Sequence, residues 1–195
     1  MNTTSKRRKS KKRPAQRTCS VPKRPPYRND AEMLLRVRTP ERLHAWLDLL
    51  PQSQRDWFEC MRLVWTTSEN LYLNKSCWLS FLNHPNVEKD KWLMEKQELT
   101  FLRSLPDTFT VYRGCPVNKV NGLSWTLDRD KALWFANRFN FASRMPPFDR
   151  ECCVVTGTVK KTDVFAYFNS RQESEIVVAP SNVKNKTTEV IPPTR

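Results

Sequence analysis

The segment Glu173-Ser174-Glu175-Ile176-Val177-Val178 places two carboxylates directly ahead of a run of β-branched residues. Such a run is typical of a buried strand, and we predict one over residues 174–179. Side chains two positions apart on a strand point to the same face, roughly 7 Å from each other. The pattern therefore predicts that Glu173 and Glu175 lie side by side where this strand begins.

Four further strands are predicted ahead of this segment, over residues 109–113, 122–126, 152–159 and 164–168, where β-branched and aromatic residues are frequent. Asp128 has the side chain of a helix cap, and a helix is predicted after it. Its buried side carries Ala132, Leu133, Phe135, Ala136 and Phe139. Because Pro146 and Pro147 interrupt regular structure, residues 140–150 are expected to form a loop.

Residues 30–104 are predicted to be helical, because their apolar residues recur at spacings of three and four. Thr39-Pro40-Glu41 combines a cap residue, a first-turn proline and an acid, and Pro51 ends the helix that begins there. Three more helices are expected over residues 53–65, 68–84 and 87–103. The tryptophans of this region lie at helical spacing, which favours core packing over stacking on a nucleotide.

The basic charge of the chain is concentrated at its beginning. Residues 1–28 hold 11 of the 34 basic residues and none of the 20 acidic residues, which leaves 23 basic against 20 acidic residues in the remainder. Repulsion between like charges and several prolines predict that this tail is disordered on its own. Three regions are therefore expected: the tail (1–28), a helical part (29–105) and a β-rich core (106–195).

Composition excludes several kinds of site. Three glycines are too few for a glycine-rich phosphate-binding loop, and six cysteines without a Cys-x-x-Cys pair, beside two histidines, predict no zinc site. The cysteines are expected to be thiols in a reducing compartment. Neither a signal peptide nor a run of about 20 apolar residues is visible, so we expect a cytoplasmic protein without membrane contact.

Three short segments, taken in order, resemble the arginine–serine–glutamate class of mono-ADP-ribosyltransferases. They are Val111-Tyr-Arg-Gly114, Ser124-Trp-Thr126 and Glu173-Ser-Glu175. Each is common by itself, since an arginine at a strand end is usually a surface residue and Glu-x-Glu is usually a solvated face. Their order carries the resemblance, together with the predicted helix between the second and third segments. It covers about residues 109–180.

The resemblance implies an α+β fold with ADP-ribosyltransferase-like split β-sheets, a helical N-terminal part and NAD in the cleft between the sheets. In this class Arg113 corresponds to the residue that binds the phosphates of NAD, and Ser124 to the one that orients Glu175. Glu175 stabilises the positive charge that develops on the ribose as nicotinamide leaves, a role that a carboxylate also has in glycoside hydrolysis. Glu173 activates the acceptor, and a glutamate at this position implies an arginine acceptor.

The resemblance also implies further contacts. Additional NAD-binding candidates are Gly114, Trp125, Thr126 and Phe139, with Arg144 and Arg150 in the loop after the helix as weaker ones for phosphate contact. Tyr167 and Phe168, just ahead of Glu173, correspond to the loop that presents the acceptor protein. Branches of the wider family that depend on histidines fit poorly, because the only histidines are His44 and His84 in the helical part.

Other functions remain open from the sequence. Water in place of an acceptor would make the chain an NAD glycohydrolase that needs Glu175 but hardly needs Glu173. A non-enzymatic nucleic-acid-binding protein would need neither carboxylate. The tail offers phosphate-binding or acidic-partner contacts through Lys6, Arg7, Arg8, Lys9, Lys11, Lys12 and Arg13. The same run is typical of a nuclear-import signal or a solubilising tail, and an enzyme of this size fits a phage or bacterial effector acting on a host protein.

Overall fold

Helices make up the first half of the described chain and strands most of the second. The computed structural model describes residues 30–39, 41–48, 54–68, 71–83, 93–141 and 151–192. The helices are α1 (Asp30–Arg36), α2 (Arg42–Leu47), α3 (Gln54–Thr67), α4 (Lys75–Leu82), α5 (Lys96–Ser104) and α6 (Arg129–Phe141). The strands are β1 (Thr108–Pro116), β2 (Ser124–Thr126), β3 (Cys152–Lys160), β4 (Val164–Phe168), β5 (Glu175–Val178) and β6 (Lys184–Ile191). The basic tail lies outside the described residues.

The strands form one open, antiparallel sheet in the order β4-β5-β2-β1-β3-β6. The α+β class predicted from the sequence is therefore confirmed. The predicted split into two sheets differs from this description, because β1 and β2 are connected, but only through the pair Tyr112–Thr126. By contrast, β1 and β3 pair over nine residues, from Thr108 with Lys160 to Pro116 with Cys152.

The helical part and the sheet share one hydrophobic core. Its buried members include Trp46, Trp65 and Trp78 from the helices and Phe168 and Ile176 from the strands. Core packing was predicted for these tryptophans and is confirmed, since the indoles of Trp65 and Trp78 meet edge to face at 4.9 Å. No helix in the described ranges is both long and apolar enough to cross a bilayer.

Buried Arg42 connects the first three helices. Its Nε donates to the carbonyl of Leu34 in α1 at 2.9 Å, and its Nη1 donates to the carbonyl of Thr67 at the end of α3 at 2.6 Å. The last carbonyls of a helix have no partners within the helix, and a guanidinium can donate hydrogen bonds to them. One side chain at the start of α2 thereby fixes two neighbouring helix ends.

Helix α6 packs on β1 and β3. Its N-terminal cap and its close approach to β1 each depend on a single residue. Asp128 Oδ1 accepts from the backbone N–H groups of Asp130 and Lys131 at 2.8 and 3.1 Å, so the predicted cap is confirmed. A Cβ at Gly114 of β1 would overlap the carbonyl oxygen of Ala132 and approach the nitrogen of Ala136 to 2.6 Å. Glycine is therefore required where this helix crosses the strand.

Several predictions about elements were wrong, among them Thr39 as a helix cap, because the cap of α2 is Glu41. The helix expected over 87–103 does not include residues 93–95, because α5 begins at Lys96 behind a reciprocal cap between Glu95 and Glu98. The edge strand β6 was not predicted at all. Seven of its eight residues are exposed and its sequence is mostly polar, so it lacks the apolar alternation that indicates a strand.

Candidate functional site

Glu175 is a buried carboxylate at the first position of β5, only 3% exposed. It pairs across the sheet with Thr126, which places Thr126 and Ser124 of β2 on its side. The indole N–H of Trp65 donates to Oε1 at 3.1 Å, the Ser124 hydroxyl is hydrogen-bonded to the carboxylate, and Arg171 Nη2 lies 3.5 Å from Oε2. The structure thus brings Ser124 to Glu175 as the resemblance implied.

Burial raises the pKa of Glu175 above its ordinary value of 4.5, because desolvation disfavours the charged form. The hydrogen bond from Ser124, the charge of Arg171 and the hydrogen bond from Trp65 oppose this effect, while the nearby charge of Glu173 adds to it. A buried carboxylate with a perturbed pKa and a specific charged neighbour, at the wall of a cleft, is a candidate functional group.

Glu173 lies in a turn ahead of β5 and not on the strand, so the prediction that pleating alone aligns the two acids was wrong. Gln172 and Ser174, on either side of it, have φ angles of 55° and 44°. Non-glycine residues in this left-handed region are strained and cluster at functional sites. The strain is held in place because the Thr126 hydroxyl donates to the Glu173 carbonyl at 2.6 Å and the Ser174 N–H donates to Asn169 Oδ1 at 3.2 Å.

Arg171 connects the two acids. Its Nη2 lies 2.7 Å from Glu173 Oε2 and 3.5 Å from Glu175 Oε2, and its side chain is 41% exposed. Sequence reasoning missed this residue, although its spacing of two and four from the acids was a usable signal. The same reasoning missed the bond from Trp65, which carries no local signal because 110 residues separate donor and acceptor.

Arg113 crosses the narrow connection between β1 and β2. Its Nη1 donates to the carbonyl of Ser124 at 2.6 Å, and its Nε and Nη2 donate to the carbonyl of Lys119 at 3.3 Å. A guanidinium has five N–H donors, so donors remain beyond these three bonds. The side chain therefore both supports the strand connection and presents charge to the cavity that it lines.

A cavity of about 340 Å³ lies over this connection. Cations, acids and aromatic rings share its wall, and the residues concerned are Arg113, Lys119, Arg138, Arg171, Glu173, Glu175, Tyr72, Tyr112 and Phe135. Gly114, Ser124, Trp125 and Thr126 also line it, so the structure brings most of the sequence-predicted site together. Trp125 offers little surface, because it is 2% exposed and its indole donates to the carbonyl of Gly122 at 3.1 Å.

The remaining predicted residues are placed elsewhere or are not described. Tyr167 and Phe168 are buried in β4, where the Tyr167 ring stacks on Phe101 and the Phe168 ring packs near Trp65. They do not form an acceptor loop, because the loop begins after them at residue 169. The backbone of Phe139 lies in α6, its side chain is outside the described part, and so are Arg144, Arg150 and the tail cations.

A second set of ionic contacts, centred on Glu98, supports the loop over residues 169–174. Glu98 is buried and accepts from the guanidinium of Arg62 and, at 2.9 Å, from the backbone N–H of Asn169. Burial by itself raises the pKa of Glu98, but Arg62 and the N–H groups of Asn169 and Glu95 outweigh it, and the net pKa is lowered. Glu98 is therefore held charged, and it fixes the residue from which the 169–174 loop departs.

The cavity thus combines a desolvated acid, a second acid on a strained turn and four cationic side chains. Within the described ranges, no group of three or more histidine, cysteine, aspartate or glutamate residues is arranged to hold a metal ion. Neither family models nor characterised proteins nor solved structures give a match to this chain.

Proposed function

We propose that the chain is an NAD-dependent mono-ADP-ribosyltransferase that transfers ADP-ribose to a protein side chain, an arginine, and releases nicotinamide. The observation that carries the proposal is Glu175, buried at a cation-lined cavity with donors from Trp65 and Ser124 and with a second carboxylate beside it. This arrangement suits a reaction that develops positive charge on a sugar and then needs a base.

Glu175 has the role of stabilising the ribose as the bond to nicotinamide breaks. The charge that forms there resembles an oxocarbenium ion, and an ionised carboxylate in a water-poor site stabilises it strongly. Trp65, Ser124 and Arg171 oppose protonation of the acid despite its burial. These contacts limit the rise in its pKa that burial causes, and the ionised carboxylate is the form that the reaction needs.

Glu173 has the role of accepting a proton from the incoming guanidinium. The carboxylates of Glu173 and Glu175 both contact Nη2 of Arg171, so both acids can contact a guanidinium bound at that position. General-base catalysis requires such a group within hydrogen-bonding reach of the nucleophile. An acceptor bound there would lie next to the carbon atom that Glu175 stabilises.

The rest of the cavity suits a dinucleotide. Arg113 and Lys119 offer positive charge for a pyrophosphate, which side chains must supply because glycine is scarce. Tyr72, Tyr112 and Phe135 offer aromatic surfaces for flat rings. Gly114 has no Cβ, so α6 can pack close against β1 and form one side of the cavity.

The first test is nicotinamide release from NAD, with transfer of labelled ADP-ribose to proteins of a cell lysate. We expect Glu175→Gln to lower release by a hundredfold or more, on the order of 3 kcal/mol, because it removes the charge and keeps the shape. Glu189→Gln is the matched control, since Glu189 is an exposed acid of β6 that is paired with Arg129.

Each outcome assigns a function. Release with labelling, both lost in Glu175→Gln, supports the transferase. Release without labelling, insensitive to Glu173→Gln, indicates an NAD glycohydrolase. A wild-type chain that neither releases nicotinamide nor binds NAD contradicts the proposal and favours a nucleic-acid-binding protein.

A further inference from the structure

Arg171 occupies the position at which an acceptor arginine is required. One of its terminal nitrogens, Nη2, contacts both carboxylates, at 2.7 Å for Glu173 and 3.5 Å for Glu175. The side chain also lines the cavity. An incoming guanidinium that reached both acids would have to displace that of Arg171.

The arginines that the structure describes differ in what their guanidinium groups contact. Arg113 lines the same cavity but donates from all three nitrogens to backbone carbonyls. Arg62 is paired with buried Glu98 behind the loop. Arg129 has a carboxylate partner at 2.7 Å, the same distance as in the Arg171–Glu173 pair, but that partner is Glu189 on the exposed edge strand.

The Arg171 side chain is partly exposed, while its backbone is held by hydrogen bonds. The side chain is 41% exposed, so it can shift toward an occupant of the cavity without unpacking the core. The backbone around it is anchored, because the Gln172 N–H donates to the Asn169 carbonyl at 2.9 Å and Asn169 is itself held by Glu98. A tethered guanidinium has a high effective concentration at the reacting carbon.

We propose that Arg171 is a site of self-ADP-ribosylation, an internal acceptor that reacts before an external arginine does. The inference rests on the proposed function. In the step, the bond between ribose C1′ and the nicotinamide nitrogen breaks, and nicotinamide leaves with the electron pair. A terminal nitrogen of Arg171 forms the new bond to C1′, and its proton passes to Glu173.

One consequence is a limit on the stoichiometry. The product keeps ADP-ribose covalently attached at the cavity, so each chain can modify itself once at this position. Self-modification is expected to be intramolecular, and its rate constant should not depend on protein concentration. Transfer to external acceptors should slow as the modified fraction of the protein rises.

The test is peptide mass spectrometry of the full-length chain after incubation with NAD, at two protein concentrations. We expect ADP-ribose on Arg171 at the same rate constant in both samples, and none on Arg129, which is paired with a different carboxylate, Glu189, and does not line the cavity. Arg171→Lys keeps the positive charge without the guanidinium, and self-labelling at this position should fall to background. A chemical-denaturation curve verifies that the variant is folded.

The failure of this inference differs from the failure of the proposed function. A small free guanidine such as agmatine is included as an external acceptor. If nicotinamide is released and agmatine is modified while Arg171 stays unlabelled, the transferase stands and the internal acceptor is refuted. Labelling of Arg171 at a rate proportional to protein concentration also refutes it, because the reaction is then between molecules. If no nicotinamide is released, the proposed function fails and this inference with it.

Discussion

At the scale of single residues, Trp65 is the donor that connects the helical part to Glu175. Its indole N–H meets Glu175 Oε1 at 3.1 Å, and its ring packs against Trp78. A hydrogen bond to a charged group contributes about 1.5–3 kcal/mol. The bond therefore affects both the ionisation of Glu175 and the rate of any step that needs the carboxylate.

Trp65→Phe should lower nicotinamide release about tenfold near neutral pH, because a lost bond of this class corresponds to roughly one factor of ten. Without this donor the pKa of Glu175 rises further, so the acidic limb of the pH–rate profile should move to higher pH. Trp78→Phe is the control, since it removes a similar ring from the same cluster. If both variants shift the acidic limb equally, packing rather than the hydrogen bond is responsible.

The two buried glutamates should have opposite effects on stability as pH changes. The folded-state pKa of Glu175 is raised, so its ionisation costs stability as pH rises through that pKa, and Glu175→Gln should be more stable than wild type at neutral pH. The pKa of Glu98 is lowered, so its contribution is present above 4.5 and is lost as pH falls. Glu98→Gln should cost about 3 kcal/mol at neutral pH.

Urea unfolding of both variants at pH 7 and at successively lower pH measures these differences. Each variant should approach wild type as pH falls through the folded-state pKa of the glutamate that it replaces, because that carboxyl is then protonated. A Glu175→Gln variant that is less stable than wild type at neutral pH would show that Glu175 supports the fold, and that its contacts are structural.

Sequence reasoning placed the acids but not their surroundings. Glu175 and Ser124 were identified from short segments whose order is visible in the chain. Arg171 was overlooked and Tyr167 and Phe168 were given a surface role, because a sequence pattern does not show where a strand ends. The turn at Gln172 and Ser174 has no glycine to mark its positive φ angles, so its position could be found only in three dimensions.

The contact between β1 and α6 is the element-scale feature with the sharpest test. A methyl group at Gly114 meets backbone atoms of Ala132 and Ala136, which cannot rotate away. We expect Gly114→Ala to destabilise the fold by about 3 kcal/mol or to prevent folding. Gly157→Ala in β3 is the matched control and should cost less, because the nearest atom there is the side-chain Cγ1 of Val183.

Equal stability of the two glycine variants by urea unfolding would contradict that explanation of Gly114. The glycine was predicted as part of an NAD-binding segment, and it does line the cavity. Its packing role could not be predicted from the sequence, because the helix that crosses it lies 18 and more positions away in the chain. Strand β6 was hidden for a different reason, since an exposed edge strand needs no apolar face.

Charge is distributed unevenly at the scale of the whole molecule, with the tail carrying 11 basic residues and no acid. Replacing the seven cations between Lys6 and Arg13 by glutamine should weaken nucleic-acid binding and flatten its salt dependence, because fewer counterions are released. Nicotinamide release should be unchanged. Titration of a labelled oligonucleotide at several salt concentrations measures this, and unchanged affinity would assign the tail another role.

The architecture could be predicted in outline because helical and β-rich patterns occupy separate halves of the sequence. The connection between the sheet halves could not, because it depends on one pair, Tyr112 with Thr126, and on the side chain of Arg113 beside it. Hydrophobic periodicity carries no information about a single cross-strand pair.

In mechanical terms, we expect that pair to act as a compliant joint, because one residue pair connects β1 with β2 while nine connect β1 with β3. The cavity lies across the joint, with Tyr112 and Gly114 on one section and Ser124 and Glu175 on the other. An occupant that touches both sections resists bending at the joint. We therefore expect the width of the cavity and its hold on an occupant to change together, with the strength of this pair and of the Arg113 bond beside it.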